Sequence, residues 1–269
     1  MLKDITLGQY FPGKSPIHLL DPRTKLIMLV VYIVALFIAA GWVSYGLMLV
    51  FLIAVIRIST IPVKSILRGM KPLVLILVFT GLLNLFFTVG EGEPLVDWWI
   101  FTIYADGITR AIMMVARILM LIAGTFLLTY TTSPIALTDG LEALMKPLAK
   151  IKVPVHELSM MMCIALRFIP TLIEETDKIM SAQKARGADF ENGSLIERAK
   201  ALIPILVPLF ISAFRRADEL ATAMECRCYQ GGDGRTKMKL LRYTRWDLNA
   251  FGVGIVLVGA MIGLRALGL

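Results

Sequence analysis

Charged residues are scarce in this chain. They fill 18% of its 269 positions, against 57% hydrophobic, and the mean hydropathy is +0.75. A soluble domain carries about a quarter charged residues, so the composition excludes that class and points to an integral membrane protein. Cysteine is nearly missing. Cys163, Cys226 and Cys228 are the only three, which leaves at least one thiol unpaired and fits a reducing compartment better than a disulfide framework. Histidine is rarer, with His18 and His156 alone. A tetrahedral metal site would have to gather ligands from distant places, so none is expected, and Cys226 and Cys228 read as small neighbours of Arg227. No Gly-x-x-x-x-Gly-Lys-Ser/Thr occurs, so there is no P-loop; Gly231-Gly232-Asp233-Gly234 reads as a helix terminator. No signal peptide is expected, because the first apolar run begins only after Lys25 and no small-residue cleavage site follows it. No apolar span carries a central Asp, Glu, Lys or His, which a proton-coupled carrier or an intramembrane hydrolase would need. Asn84 and several threonines are the only clear polar groups at depth. The membrane part is therefore expected to run neither an ion gradient nor a reaction.

What is present is a series of apolar runs with asymmetric flanks. Leu26 to Ile56 carries no charge; it is too long for one comfortable span of about 20 residues. Basic residues at both ends, Lys25 and then Arg57, Lys64, Arg68 and Lys71, make it a hairpin turning near Gly41 to Gly46. A third span is expected over Pro72 to Gly90. An acidic outside loop follows, with Glu91, Glu93, Asp97, Asp106, Trp98 and Trp99. The fourth span runs to about Tyr130, and Arg110 and Arg117 at its outer end are expected to pair with the acidic loop or to snorkel. The last span is Leu248 to Leu264, with Gly259 and Gly263 at a spacing that suits close helix packing. This topology puts the N-terminus in the cytoplasm and the C-terminus outside. It leaves all 28 Lys and Arg except Arg110, Arg117 and Arg265 on the cytoplasmic side, as the positive-inside bias requires. The same bias accounts for the net charge of +8 and the pI near 9.5, and no nucleic acid is expected as a partner.

Between the fourth and fifth spans more than a hundred residues stay outside the membrane. Ser133-Pro134 starts a short helix ending near Pro147. Pro154 opens a helix whose apolar stripe includes Leu158, Met161, Met162, Phe168, Ile169, Leu172 and Ile173 at helical spacing. A second helix is expected from about Ser194 to Arg227. Its uncharged run Ala201 to Phe214, broken by Pro204 and Pro208, is too short to span and too apolar for water, so a headgroup layer or another membrane protein must cover it. Each helix ends in an arginine that looks buried, between small residues: Ala185-Arg186-Gly187 and Cys226-Arg227-Cys228. Aligning the arginines also aligns Asp177 with Asp218, Ile179 with Leu220, Ser181 with Thr222 and Ala182 with Ala223, a short repeat that suggests one unit used on two similar partners. A guanidinium offers a rigid fork to a carboxylate, and small neighbours let a helix end enter a groove. Met160, Met161, Met162 and Met180 add an adaptable apolar face.

These residues resemble the transmembrane T component of energy-coupling factor (ECF) vitamin transporters, over essentially the whole chain. The resemblance rests on Gly8-x-Tyr10-x-Pro12-Gly13, Leu20-Asp21-Pro22-Arg23-Thr24-Lys25-Leu26, Thr131-Thr132-Ser133-Pro134 and Pro154-Val155-His156-Glu157-Leu158. It continues in Leu166-Arg167-Phe168-Ile169-Pro170-Thr171-Leu172, Ala182-Gln183-Lys184-Ala185-Arg186-Gly187, Ala223-Met224-Glu225 and Tyr229-Gln230-Gly231-Gly232. It implies that the two small-Arg-small motifs end long coupling helices that dock on two related ABC-type ATPase subunits. Arg186 and Arg227, with Ala185, Gly187, Cys226 and Cys228, would be those contacts. The same helices would cradle a membrane substrate-binding subunit (the S component), for which Met161, Phe168, Leu172, Leu206 and Phe210 are the candidates. ATP would be bound by the partner ATPases and no cofactor by this chain. The second motif has Cys where the commoner form has Gly, so Gly231 is expected to take over the helix-ending role.

The expectation is an all-α polytopic protein of the cell membrane with about five transmembrane helices plus long cytoplasmic amphipathic coupling helices. Its parts are a lead-in and four spans over 1–130, a coupling domain over 131–245 and a last span over 246–269. It is expected to be a non-enzymatic scaffold that carries ATP-driven motion to a vitamin-binding subunit. A permease domain of an ordinary ABC transporter would show polar pathway residues, an intramembrane enzyme would show an acid, base or metal set in a span, and a plain anchor leaves the repeated arginine motif unexplained.

Overall fold

The computed structural model describes residues 10–87, 96–98, 101–190, 194–232, 234, 236, 238 and 240–268. Several sequence features therefore lie outside the described residues: Gly8 of the lead-in, Gly90, Glu91, Glu93, Trp99, Asp233 and the basic residues Arg235, Lys237 and Lys239. The chain divides into two compact units, one within Gly8–Leu141 and Leu241–Leu269, the other including Glu142–Leu240.

The first unit is a helix bundle. After the short α1 (Pro16–Leu19), α2 (Pro22–Ile38) starts as its sequence dictates: the Asp21 carboxylate accepts from the Arg23 N–H at 2.9 Å, and Pro22 occupies a position whose N–H has no helical partner. The turn to α3 (Trp42–Ser59) comes at residues 39–41, earlier than expected. Gly41 is the extended residue before α3, whereas Tyr45 and Gly46 lie inside the helix, Tyr45 buried. A short α4 (Val63–Met70) runs through a tight turn into α5 (Val74–Phe87). The long α6 (Ala105–Thr131) packs against α2, α3, α4 and α5, while α10 (Arg245–Ala266) packs on α2 and α3. Two three-residue antiparallel strands, β1 (Val96–Trp98) and β2 (Phe101–Ile103), lie in the expected outer loop between α5 and α6. The core is made of Tyr32, Leu36, Met48, Met120, Leu127, Tyr130, Leu257 and Met261. The outward faces are as apolar as the core: Leu75 is 79% exposed, Ile255 75% and Val50 67%. Such a surface is stable against hydrocarbon and not against water.

Among the described residues five helices are able, by length and composition, to cross a bilayer: α3, the continuous run Val63–Phe87, α6 from Asp106, α8 (Val155–Ala185) and α10. The expected number is met with a different membership. At 17 residues, α2 reaches about 26 Å, near the lower limit for a span, and its place in the bundle comes from packing on α6 and α10. The helix α8, expected in the cytoplasm, qualifies with the lowest mean hydropathy of the five, 1.3.

Arg117 reaches the turn at the expected outer end of α2, as a snorkelling side chain would. It donates to the Ala39 carbonyl at 3.3 Å and lies over the rings of Phe37 and Tyr45. Ala39 ends α2, so its carbonyl lacks a helical partner, and the guanidinium closes that turn. The glycines of α10 differ from expectation. Gly259 and Gly263 meet no neighbour, while a Cβ on Gly254 would lie 2.9 Å from the Met28 sulfur of α2.

The lead-in, the start of α2, the end of α6 and the start of α10 meet in one polar joint. The Phe11 N–H donates to the Tyr130 carbonyl (2.9 Å) and the Lys25 ammonium to the Thr131 carbonyl (2.9 Å). Asp247, 1% exposed, accepts from the backbone N–H groups of Asp21 (2.9 Å) and Thr244 (2.7 Å). Arg23 pairs with Asp21 and covers the Tyr243 ring. Three stretches separated by about a hundred residues each thus form one structural joint within this unit.

Candidate functional site

The second unit is built on two helices of 31 residues, α8 (Val155–Ala185) and α9 (Leu195–Glu225), each about 46 Å long. The start of α9 is written in its sequence: the Ser194 side chain accepts from the Glu197 N–H, and the Glu197 carboxylate accepts from the Ser194 N–H at 2.8 Å. The helices are antiparallel. Glu175 of α8 accepts from Arg216 at 2.7 Å and from the Ser212 hydroxyl of α9. Eight residues further along α8, the Gln183 amide reaches the Pro204 carbonyl at 3.5 Å. That carbonyl is free because Pro208, four residues on, has no N–H to offer it. The prolines that break the uncharged run therefore expose an acceptor to the partner helix.

The two arginine motifs have the same geometry. At the end of α8, the Gly187 N–H donates to the Lys184 carbonyl and the Ala188 N–H to the Gln183 carbonyl, both at 3.0 Å. At the end of α9, the Cys228 N–H donates to the Glu225 carbonyl (2.8 Å) and the Tyr229 N–H to the Met224 carbonyl (3.1 Å). Each is the paired-bond cap in which the residue after the helix turns left-handed, and each puts its arginine just before that residue. Gly187 has φ +88° and Cys228 φ +55°. Cys228 itself thus ends the helix; Gly231 also has positive φ but lies three residues beyond. The repeat extends upstream: the Ser181 hydroxyl donates to the Asp177 carbonyl (2.7 Å) and the Thr222 hydroxyl to the Asp218 carbonyl (2.8 Å).

Contrary to the buried look of the motifs, Ala185, Arg186, Gly187, Cys226, Arg227 and Cys228 are all exposed. Neither guanidinium has an ion-pair partner among the described residues. Because the helices are antiparallel, the two caps lie at opposite ends of the pair. Of the apolar candidates, Met161 (54%), Leu206 (46%) and Phe210 (60%) are exposed, while Phe168 and Leu172 are half-buried. Leu202, Leu206, Phe210 and Phe214 form an uncovered stripe at four-residue spacing on α9.

One cluster was not legible as a site. Glu142, at the end of α7 (Pro134–Met145), accepts from the Ser159 hydroxyl at 2.7 Å and lies 3.5 Å from His156 Nδ1. The Tyr229 hydroxyl lies 3.5 Å from His156 Nε2. The segment following the second arginine cap is thereby held against the start of α8. His156 and Tyr229 both stood in quoted motifs, yet nothing in their spacing joins residues 142, 156 and 229.

Comparison with known proteins places these features in a family. The family model CbiQ, a cobalt transport protein, matches residues 13–238. The energy-coupling factor transporter transmembrane protein EcfT of Clostridium kluyveri is 55% identical over 258 residues, 96% of each chain. The protein of the same name from Heliobacterium modesticaldum is 52% identical over 97% of each. That from Bacillus subtilis is 48% identical over 99% of this chain and 100% of its own.

Proposed function

The chain belongs to the CbiQ/EcfT family, as a transmembrane component of an energy-coupling factor transporter, and on that premise we propose that its two arginine caps couple two ATP-hydrolysing subunits to a membrane substrate-binding subunit. The observation that carries the proposal is the pair of caps: matched in their two cap hydrogen bonds, exposed, without an ion-pair partner among the described residues, and at opposite ends of one antiparallel helix pair. Two equivalent cationic tips suit two related ATPase subunits, each offering an acidic groove. The Glu175–Arg216 pair and the Gln183 contact hold α8 and α9 together, so displacement of either tip moves the helix pair as a unit. The stripe Leu202 to Phe214, with Met161, then supports the substrate-binding subunit. In this reading α8 and α9 lie along the cytoplasmic side, α2 is the first span, the N-terminus is cytoplasmic and the C-terminus extracellular. The cargo is a vitamin or other micronutrient recognised by the partner, ATP is bound by the ATPases, and this chain performs no chemistry itself.

The test is capture of the ATPases from detergent by chain variants, with vitamin uptake in parallel. Truncating a desolvated, charge-paired arginine typically costs about 2 kcal/mol or more. Arg186→Ala or Arg227→Ala alone weakens capture while the other tip still tethers. The double variant releases both ATPases, because the gain from linked sites is lost too. Lysine rescues poorly, since it keeps the charge without the fork. Retention of both ATPases and of uptake by the double alanine variant would refute the assignment.

A further inference from the structure

The helix bundle contains an apolar cavity of about 470 Å³, within the range of about 300–1,000 Å³ usual for ligand sites. Four helices line it over matched stretches: Lys25 to Tyr32 of α2, Phe51 to Ile58 of α3, Gly124 to Thr131 of α6 and Trp246 to Val253 of α10, with α1 at one end. A second hollow shares Phe51, Asn249 and Val253 with the first and continues it between α3 and α10 as far as Leu47 and Ala260. The two make one furrow. From Ile58 to Leu47 is about 16 Å of helix, and from Trp246 to Ala260 about 21 Å. Half of a hydrocarbon core of about 30 Å is comparable, so the furrow has the length of one leaflet.

The ends differ in chemistry. The deep end is wholly apolar. At the other end Trp246 is 54% exposed at the rim; in the chain Arg245 directly precedes it, Arg242 lies four residues before it, and Arg57 precedes the lining residue Ile58, all three arginines exposed. The carboxylates nearby are already engaged: Asp21 by Arg23, and Asp247 by Thr244 and the Asp21 N–H. The Lys25 ammonium, though in the lining, is spent on the carbonyls of Thr131 and His18. An apolar furrow of leaflet length with a cationic, tryptophan-bearing mouth matches a lipid chain below a negative headgroup. We propose that this furrow holds one anionic phospholipid, with an acyl chain between α3 and α10 and its phosphate at Arg242 and Arg245.

Gly252 gives a clean way to fill the furrow, because it lines the second hollow between α3 and α10 and a Cβ there meets nothing within 4 Å. The full-length chain is reconstituted in nanodiscs holding equal phosphatidylglycerol and phosphatidylcholine, and retained lipid is counted by native mass spectrometry. The wild type is expected to keep one lipid and to favour phosphatidylglycerol roughly thirtyfold, the effect of two arginines near a headgroup. Gly252→Phe should reduce retention of either lipid to background. The Arg242→Gln/Arg245→Gln variant should keep a lipid and lose the headgroup preference. If Gly252→Phe does not fold, Val256→Phe fills the deeper part from a residue that is 71% exposed. Unchanged lipid retention by the filled variants would overturn the proposal, as would a wild type that keeps none. If filling spares the lipid but abolishes association with the substrate-binding subunit, the furrow is a protein interface and the lipid assignment falls.

Discussion

The two helix caps make the same hydrogen bonds with different residues in the left-handed position, and exchanging those residues gives an asymmetric prediction. Gly187 sits at φ +88° with nothing within 4 Å of its would-be Cβ, so a substitution there is opposed by its own backbone alone. That angle lies beyond the small left-handed region, about +50° to +70°, open to L-residues. Gly187→Cys should therefore cost about 1–2 kcal/mol, the usual penalty for a Cβ in this conformation. Cys228 at φ +55° lies within the allowed region, and glycine there trades relief of strain against chain entropy. Cys228→Gly should stabilise its cap by less, about 0.5 kcal/mol. The measurement is amide hydrogen exchange at Gly187 and Ala188, and at residues 228 and 229, whose N–H groups make the cap bonds. With about 1.4 kcal/mol per tenfold, exchange at the first cap should accelerate roughly five- to thirtyfold in Gly187→Cys. At the second cap it should slow roughly twofold in Cys228→Gly. Equal and opposite shifts, or faster exchange at Tyr229 in Cys228→Gly, would refute the argument that φ sets the difference.

Three more outcomes follow from the contacts. The Glu175–Arg216 pair is partly exposed, at 22% and 32%, so it should contribute more than a surface pair and less than a buried one, about 1–2 kcal/mol; a double-mutant cycle with Glu175→Gln and Arg216→Met, read by thermal unfolding in detergent, should give that coupling. A Cβ at Gly232 would come 2.5 Å from the His156 ring, so Gly232→Ala should displace the ring from Tyr229 and cost about 1–3 kcal/mol, seen as lower thermal stability and faster proteolysis after Arg227. Burial lowers the pKa of His18 from its ordinary 6.5, the neighbouring Lys25 charge adds to this, and the hydrogen bond to the Phe11 carbonyl opposes it. The folded lead-in thus prefers neutral imidazole: its anchoring should be complete above about pH 6.5 and weaken as pH falls through the lowered value. Limited proteolysis of residues 10–20 at pH 8 and pH 5.5 should show this, and His18→Gln should flatten the difference.

The sequence alone determined the class of the molecule, its helix starts and its repeated ends. Composition decided the membrane, because no other solvent tolerates surfaces such as Leu75 and Val50. Asp21-Pro22 and Ser194 with Glu197 decided where α2 and α9 begin, because a cap is a bond made within a few residues of itself. The alignment of Asp177 with Asp218 and of Arg186 with Arg227 became matched hydrogen bonds for the same reason. Tertiary structure decided everything that depends on which face meets a neighbour. Periodicity marked Gly259 and Gly263, yet Gly254 faces Met28 of α2, since the choice among glycines on one helix depends on where α2 lies. Charge counting left Arg117 either to the acidic loop or to snorkelling, and only the fold shows that the carbonyl it reaches is the orphan one of Ala39. Cys228 bends left-handed where a glycine was expected further on, because the cap forms where the helix stops, whichever residue stands there. Glu142, His156 and Tyr229 come together only through the packing of α7, α8 and the end of α9. Rules that act over four residues are written in the chain, whereas contacts across a hundred are fixed by the sum of many packing energies that no local spacing records.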